Sequence, residues 1–387
     1  MQHHHHSAIK TWLSSIPSPA SPKLSSSAES MASTTTADAT PSLPPSTLRS
    51  RSSSPSRNMV YRNQNLRHAN VIFTHIGDVP SHVRCAMDTV KRQANATHVE
   101  DTLSDGVLRP FYSEVRRLDM ESAIGTDWRA ALKKLLDDLL ASHEREVELK
   151  IANERDWSPE LKPEPFVVAI PALIPQKRRA TAQDRPPATV QLPTTPTMRS
   201  LELKTPRPDI FVAFSERAGN LVSDPTLAAG LRFPFLVVET KSAATGGTIY
   251  QAQNQAAVGG ACMLNCLLRL DELSSLADAS PSLSPDMPMA FSIATQSNVV
   301  ELWVHYCDQS PPHTYCMARV ATFDCVVDRD NCAAFLRMLA AVLQWGSREL
   351  KGWCDERRHR TFRADTGWAS AATVRLAARN CRHAPSR

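Results

Sequence analysis

Two short apolar runs carry charges where a buried strand normally has none: PDIFVAF at 208–214 and FLVVETKS at 235–242. Side chains two apart on a strand share a face and stand ~6.6 Å apart at ~3.3 Å per residue. Glu239 and Lys241 therefore project together on the face of Val237, while Leu236 and Val238 point the other way into packing. Asp209 follows Pro208 at the start of the partner run, where the chain emerges from KTPRP. A connection containing Gly, Ser, Asp and Pro separates the two runs, so they are expected to be neighbouring strands. Paired, they bring two carboxylates and an ammonium to one sheet edge, an arrangement suited to a hard divalent cation and an anionic substrate.

The rest of the chain supplies the scaffold. With 387 residues, 42% hydrophobic and 21% charged, it can build one large core or two small ones. A net charge of +5 is compatible with a polyanionic partner. Nine cysteines, spread from Cys85 to Cys381 without a CxxC pair, point to free thiols in a reducing, intracellular setting. No basic segment precedes an apolar core at the N-terminus, and no run reaches the ~18 apolar residues of a membrane span. The expectation is a soluble protein with no membrane partner. HHHH at 3–6 reads as a tag remnant, a natural tract or a weak metal site, and stays outside the fold reasoning.

Residues 1–66 are dominated by Ser, Pro, Thr and Ala from about Pro17 to Asn58 and are expected to be disordered. RSRSSSPSR within them is a solvated basic stretch, a nuclear-import signal or an RNA-binding signal. The folded domain is expected over 67–352, followed by a basic flexible tail at 353–387. Short helices are expected between 67 and 125. A helical stripe through Trp128, Leu132, Leu135, Leu136, Leu139, Leu140, Val147 and Ile151 then lands, three residues on, at Glu154. PEPFVVAIPALIP reads as an edge strand and 176–196 as a long loop. Thr248 is the expected cap of a helix over 246–270. AFSIAT, VVELWVHYC and TYCMARVATFDCVV read as three antiparallel strands, and 330–350 as a closing amphipathic helix.

Pro208-Asp209 and Glu239-Thr240-Lys241 resemble the PD-(D/E)XK motif of a phosphodiesterase superfamily. GGTIYQAQNQAAVGGACML at 246–264, ELWVHY, VLQWG and WLSSIP are similar to the fungal PD-(D/E)XK nuclease-like domain proteins, with the likeness covering roughly 100–352. The resemblance implies an α/β fold with a restriction-endonuclease-like core: a central mixed sheet flanked by helices. It implies Mg²⁺, for which Mn²⁺ can substitute, held by Asp209, Glu239, the Thr240 carbonyl and Glu154. Lys241 would orient the attacking water and stabilise charge on the phosphate, and Gln251 and Gln255 would contact substrate or water. The implied catalytic set is Asp209, Glu239, Lys241 and Glu154. The implied reaction is metal-assisted hydrolysis of a phosphodiester bond in DNA, and cutting both strands would favour a homodimer; the location expected from the thiols is intracellular, and nuclear if RSRSSSPSR is an import signal. A catalytically silent nuclease-like fold that binds nucleic acid or protein is the alternative.

Two further features compete for attention. His305, Cys307, His313 and Cys316 flank one turn and form a rival zinc constellation, against which stands ordinary strand alternation with half-buried thiols. The basic tail is either a solvated terminus or a strand that tracks nucleic-acid phosphates.

Overall fold

In the computed structural model, the residues described are 59–96, 104–142, 149–163, 201–215, 231–277, 288–308 and 313–360. They form a seven-stranded mixed sheet between two layers of helices. In chain order the main elements are β1 (Val71–Thr74), α1 (Ser81–Ala94), α2 (Arg109–Met120), α3 (Gly125–Ser142), β2 (Leu149–Ala152), β3 (Ile210–Ser215), β4 (Leu231–Lys241), α4 (Ile249–Ala277), β5 (Met289–Gln296), β6 (Val299–Asp308), β7 (Thr314–Asp324) and α5 (Arg329–Trp345). The strand order is β1-β7-β6-β5-β4-β3-β2. The pairs β4–β5 and β1–β7 are parallel and the other neighbours antiparallel. Parallel neighbours need a crossover, and α4 supplies it between β4 and β5.

Strand alternation divides the core. Ile210, Val212, Leu236, Val238, Phe291, Ile293, Leu302 and Val304 face the layer of α1, α2, α3 and α5. Phe211, Ala213, Val237, Ala290, Ala294 and Trp303 face α4. Each helix of the first layer offers one apolar stripe, such as Val83, Met87, Val90 and Ala94 on α1. α4 is different, being buried on most sides through Ala252, Ala256, Ala257, Ala261, Cys262, Met263 and Leu264. Its small residues let it lie close to the sheet. A Cβ on Gly259 would stand 3.3 Å from Val237 Cγ2, and one on Gly260 would enter the His305 ring. Thr248 caps α4 as expected, its hydroxyl accepting from Gln251 N at 3.2 Å.

β5, β6 and β7 are the expected antiparallel set, and α5 is the expected closing helix. The stripe leading to Glu154 is a correction. α3 ends at Ser142, and Ile151 lies in the edge strand β2 instead. Leu149 and Ile151 alternate with Lys150 and Ala152 with a period of two, and the step of four from Val147 to Ile151 in the sequence fits two strand repeats as well as a helical turn. Helical structure is also described before residue 67. Met59–Tyr61 and Arg62–Leu66 are helical, and Tyr61 and Leu66 are buried in the α4-side core. At the other end, the helical path that follows α5 continues through 351–360. The burial of Tyr61 and Leu66 is what holds the N-terminal segment to the sheet. The Ser/Pro-rich stretch, PEPFVVAIPALIP and the 176–196 loop lie outside the described residues. The eight cysteines within them are free thiols. No described helix is long and apolar enough to cross a membrane.

Candidate active site

β3 and β4 pair antiparallel with Ile210 opposite Val238 and Phe211 opposite Val237. One further step along that register sets Asp209 against Glu239, so the two opening acids meet as the sequence suggests. The Asp209 carboxylate is fixed by β4 itself: Oδ2 accepts from Thr240 N at 2.7 Å and from Thr240 Oγ1 at 2.8 Å. Lys241 Nζ then reaches Asp209 Oδ2 at 3.4 Å, Glu239 Oε2 at 3.5 Å and the Thr240 carbonyl at 2.9 Å. Three oxygens thus converge on one cation, the ammonium of Lys241.

Glu239 is 4% exposed. Burial pushes its pKa up to about 8, reinforced by the charge of Asp209 and opposed by Lys241. The turn that follows is tight for a reason. A Cβ on Gly247 would lie 2.9 Å from Lys241 Cβ and 3.0 Å from Ser242 O, so a larger residue would displace the lysine stem. Ser242 anchors the same turn to the neighbouring layer by donating to Ala123 O at 2.7 Å.

Glu154 reaches the site by another route than a helix end. It sits just after β2 with φ of 50°, a left-handed conformation that is costly for a residue with a Cβ. Its amide donates to Pro208 O at 3.0 Å, and its carbonyl accepts from Arg207 Nε at 3.0 Å. Both contacts tie it to the residues that introduce Asp209. Its carboxylate pairs with Arg129 Nη1, and the same nitrogen stands 3.5 Å from Asp209 Oδ1. Arg129, on the first turns of α3, is a site residue that sequence reasoning missed. An arginine on a helix surface gives no signal until the fold sets two acids beside it.

Gln251 and Gln255 lie on the stripe of α4 that continues, four residues on, to Gly259 over Val237. From Gly259 to Gln255 the helix retreats ~6 Å, and from Val237 to Glu239 the strand advances ~6.6 Å, which sets Gln255 level with Glu239. The Oε1 atoms of both glutamines are buried without a hydrogen-bond partner. Buried acceptors are rarely left open without a purpose.

The donor chemistry suits a hard cation: two carboxylates and a backbone carbonyl, already gathered around a positive charge. Among the described residues, no group of three or more His, Cys, Asp or Glu side chains is placed to hold a metal ion. This holds for the rival zinc set, and equally Asp209, Glu239 and Glu154 do not gather as a three-acid cluster. Cys307 belongs to the α4-side core and Cys316 to the opposite one, while His305 bonds Ser292 Oγ at 2.7 Å. At the start of the basic tail, Arg358 pairs with Asp355 and Arg360 with Glu356, while Arg357 pairs with the distant Asp271.

Residues 164–354 match the family described as Domain of unknown function (DUF7924), just under half of the chain. Asp209, Glu239, Thr240, Lys241, Gln251 and Gln255 fall within that match, whereas Arg129 and Glu154 precede it. No curated protein and no solved structure matches the chain.

Proposed function

We propose that the chain is a metal-dependent nuclease of restriction-endonuclease-like type, hydrolysing phosphodiester bonds in DNA. The observation that carries this reading is the convergence of Asp209 Oδ2, Glu239 Oε2 and the Thr240 carbonyl on a single cation at the end of β4. Asp209, Glu239 and the Thr240 carbonyl would hold Mg²⁺ or Mn²⁺, with Glu154 at the rim. A bound divalent ion supplies Lewis-acid polarisation of a phosphoryl oxygen and a more acidic water. Lys241 binds the anionic phosphate and offsets the charge that grows on it during attack. Asp209, held by two hydrogen bonds to Thr240, keeps its geometry throughout. Gln251 and Gln255 orient a water or a substrate donor through their open Oε1 atoms. Cutting both strands of a duplex calls for two such sites and hence a homodimer.

A second reading has its own support. Asp209 is shared by two cations, Lys241 and Arg129, as in a closed structural ion-pair network. On that reading the fold binds nucleic acid or protein without cutting. Incubation of supercoiled plasmid with the protein and Mg²⁺ or Mn²⁺, beside Asp209→Ala and Lys241→Ala, separates the two. Metal-dependent nicking that both substitutions abolish supports the nuclease. Absence of nicking, or nicking that survives both changes, leaves the binding module.

A further inference from the structure

We propose that Arg129 grips a phosphate of the nucleic-acid substrate through Nε and Nη2, and that Glu154 is the residue that holds it in position. The inference deepens the reading above and rests on nucleic acid being the partner.

α3 begins against the candidate site. A Cβ on Gly125 would stand 4.0 Å from the Thr240 carbonyl oxygen and 3.9 Å from Ser242 N. Arg129 follows about one turn later, so its side chain leaves the helix beside the strand end that carries the acids. That side chain is only 19% exposed, yet its contacts use a single nitrogen. Nη1 pairs with Glu154 and stands 3.5 Å from Asp209 Oδ1. Nε and Nη2 make no hydrogen bond among the described residues and are not enclosed. A guanidinium carries five N–H donors in a flat fork, and its geometry matches two oxygens of one phosphate. One edge of the Arg129 fork therefore remains available for an anion.

Glu154 is held as a positioning residue requires. Its left-handed backbone, with φ of 50°, is fixed by hydrogen bonds to Pro208 and Arg207. The carboxylate is thus anchored before the arginine meets it, and it engages Nη1 through Oε1 alone. Oε2 is left for the rim of a cation site. Lys241 approaches Asp209 at its other oxygen, Oδ2, at 3.4 Å. Two cations therefore bracket Asp209, one from α3 and one from β4. A phosphate drawn to Lys241 has the arginine fork on the far side of the same carboxylate.

The rival account of Arg129 is that it only neutralises the acids, and net charge separates the two. The full-length protein is titrated into a fluorescent DNA duplex in Ca²⁺ over a range of salt, and binding is read by anisotropy. Arg129→Gln combined with Glu154→Gln removes the pair without changing net charge. A phosphate contact predicts that this double variant binds about tenfold more weakly than wild type. Its plot of log affinity against log salt should be shallower by ~0.9, the counterions released from one phosphate. Glu154→Gln alone, whose amide oxygen still accepts from Nη1, should bind as wild type or more tightly. Wild-type affinity and slope in the double variant overturn the proposal. So does an equal loss in Glu154→Gln alone, or a wild type that binds no DNA. Should the double variant misfold, Arg129→Lys decides: it keeps the charge but not the fork, so binding several-fold weaker is expected and unchanged affinity overturns the proposal. Nicking in Mg²⁺ or Mn²⁺ is followed separately. A wild type that binds DNA but never cuts it removes the nuclease reading and leaves the phosphate contact to be decided by the binding curves.

Discussion

Glu239 and Glu301 occupy one row of the sheet, each paired with Ala294 of the intervening β5. Both are buried and both face α4, yet their surroundings differ. Glu301 accepts from Gln253 Nε2 at 2.6 Å, Trp303 Nε1 at 3.1 Å and Arg319 Nη1 at 3.0 Å. Glu239 has the Lys241 ammonium at 3.5 Å. A carboxylate saturated by fixed donors holds structure, whereas one with a single, longer contact retains capacity for a further cation.

Replacing these acids should therefore have opposite effects on stability. Glu301→Gln is expected to cost roughly 1–3 kcal/mol, because it weakens the charge-assisted bonds and leaves a donor unmatched. Glu239→Gln should be neutral or slightly stabilising without divalent cations, since it removes the burial cost that raises the acid's pKa. Urea denaturation of both variants in chelator distinguishes them. Equal losses would show that Glu239 is a structural acid too.

His305 should make the protein sensitive to acid. Burial lowers its pKa from 6.5 to about 3. The folded state thus binds fewer protons than the unfolded state in that window, so stability is fully present above 6.5 and falls as pH drops towards 3. The difference in unfolding free energy between wild type and His305→Gln, followed from pH 7 to pH 4, should narrow or reverse in the variant's favour as pH falls. A difference that does not change with pH would contradict the assignment.

Gly260 marks how close α4 lies to β6. A Cβ there would come within 2.0 Å of His305 Nδ1 and 2.4 Å of its Cγ. Gly260→Ala should cost about 1–3 kcal/mol through displacement of the ring or the helix. A melting temperature equal to that of the wild type would mean that the helix stands further from the sheet.

Arg62 secures the N-terminal segment to α4. Its guanidinium lies 3.7 Å from the ring centroids of both Phe73 and Tyr250. It also donates to Gln253 Oε1 at 2.7 Å and Asn254 Oδ1 at 2.9 Å. Arg62→Ala should cost roughly 2–4 kcal/mol, and Arg62→Lys should recover little of it, because an ammonium cannot stack and fork together. Hydrogen exchange should show faster opening across 59–74 in both variants. Unchanged exchange would place the anchor elsewhere.

The sequence made some of this legible because the signals were local. PDIFVAF and FLVVETKS announced β3 and β4, and the charges on them announced the acids. Alternation gave β5 to β7, and Thr248 gave the start of α4. Glu154 was placed near Asp209 by the wrong route, since the spacing of four between Val147 and Ile151 fits a helical turn and two strand repeats alike. Glu301 carried the same signal as Glu239, an acid within an apolar strand, but nothing local tells a saturated carboxylate from an open one. Arg62 was illegible because its partners Gln253 and Asn254 lie 191 and 192 residues away. Arg129 was hidden in the same way, since its two acids come from separate loops.

The most direct test of the central claim is Mn²⁺ binding to the full-length protein, followed by electron paramagnetic resonance at neutral pH. The account predicts saturable binding that Asp209→Asn and Glu239→Gln abolish and Glu301→Gln preserves. It also predicts tighter binding by Lys241→Met, which removes the ammonium that the three oxygens now surround. Absence of binding by the wild type, or binding indifferent to Asp209 and Glu239, would contradict it.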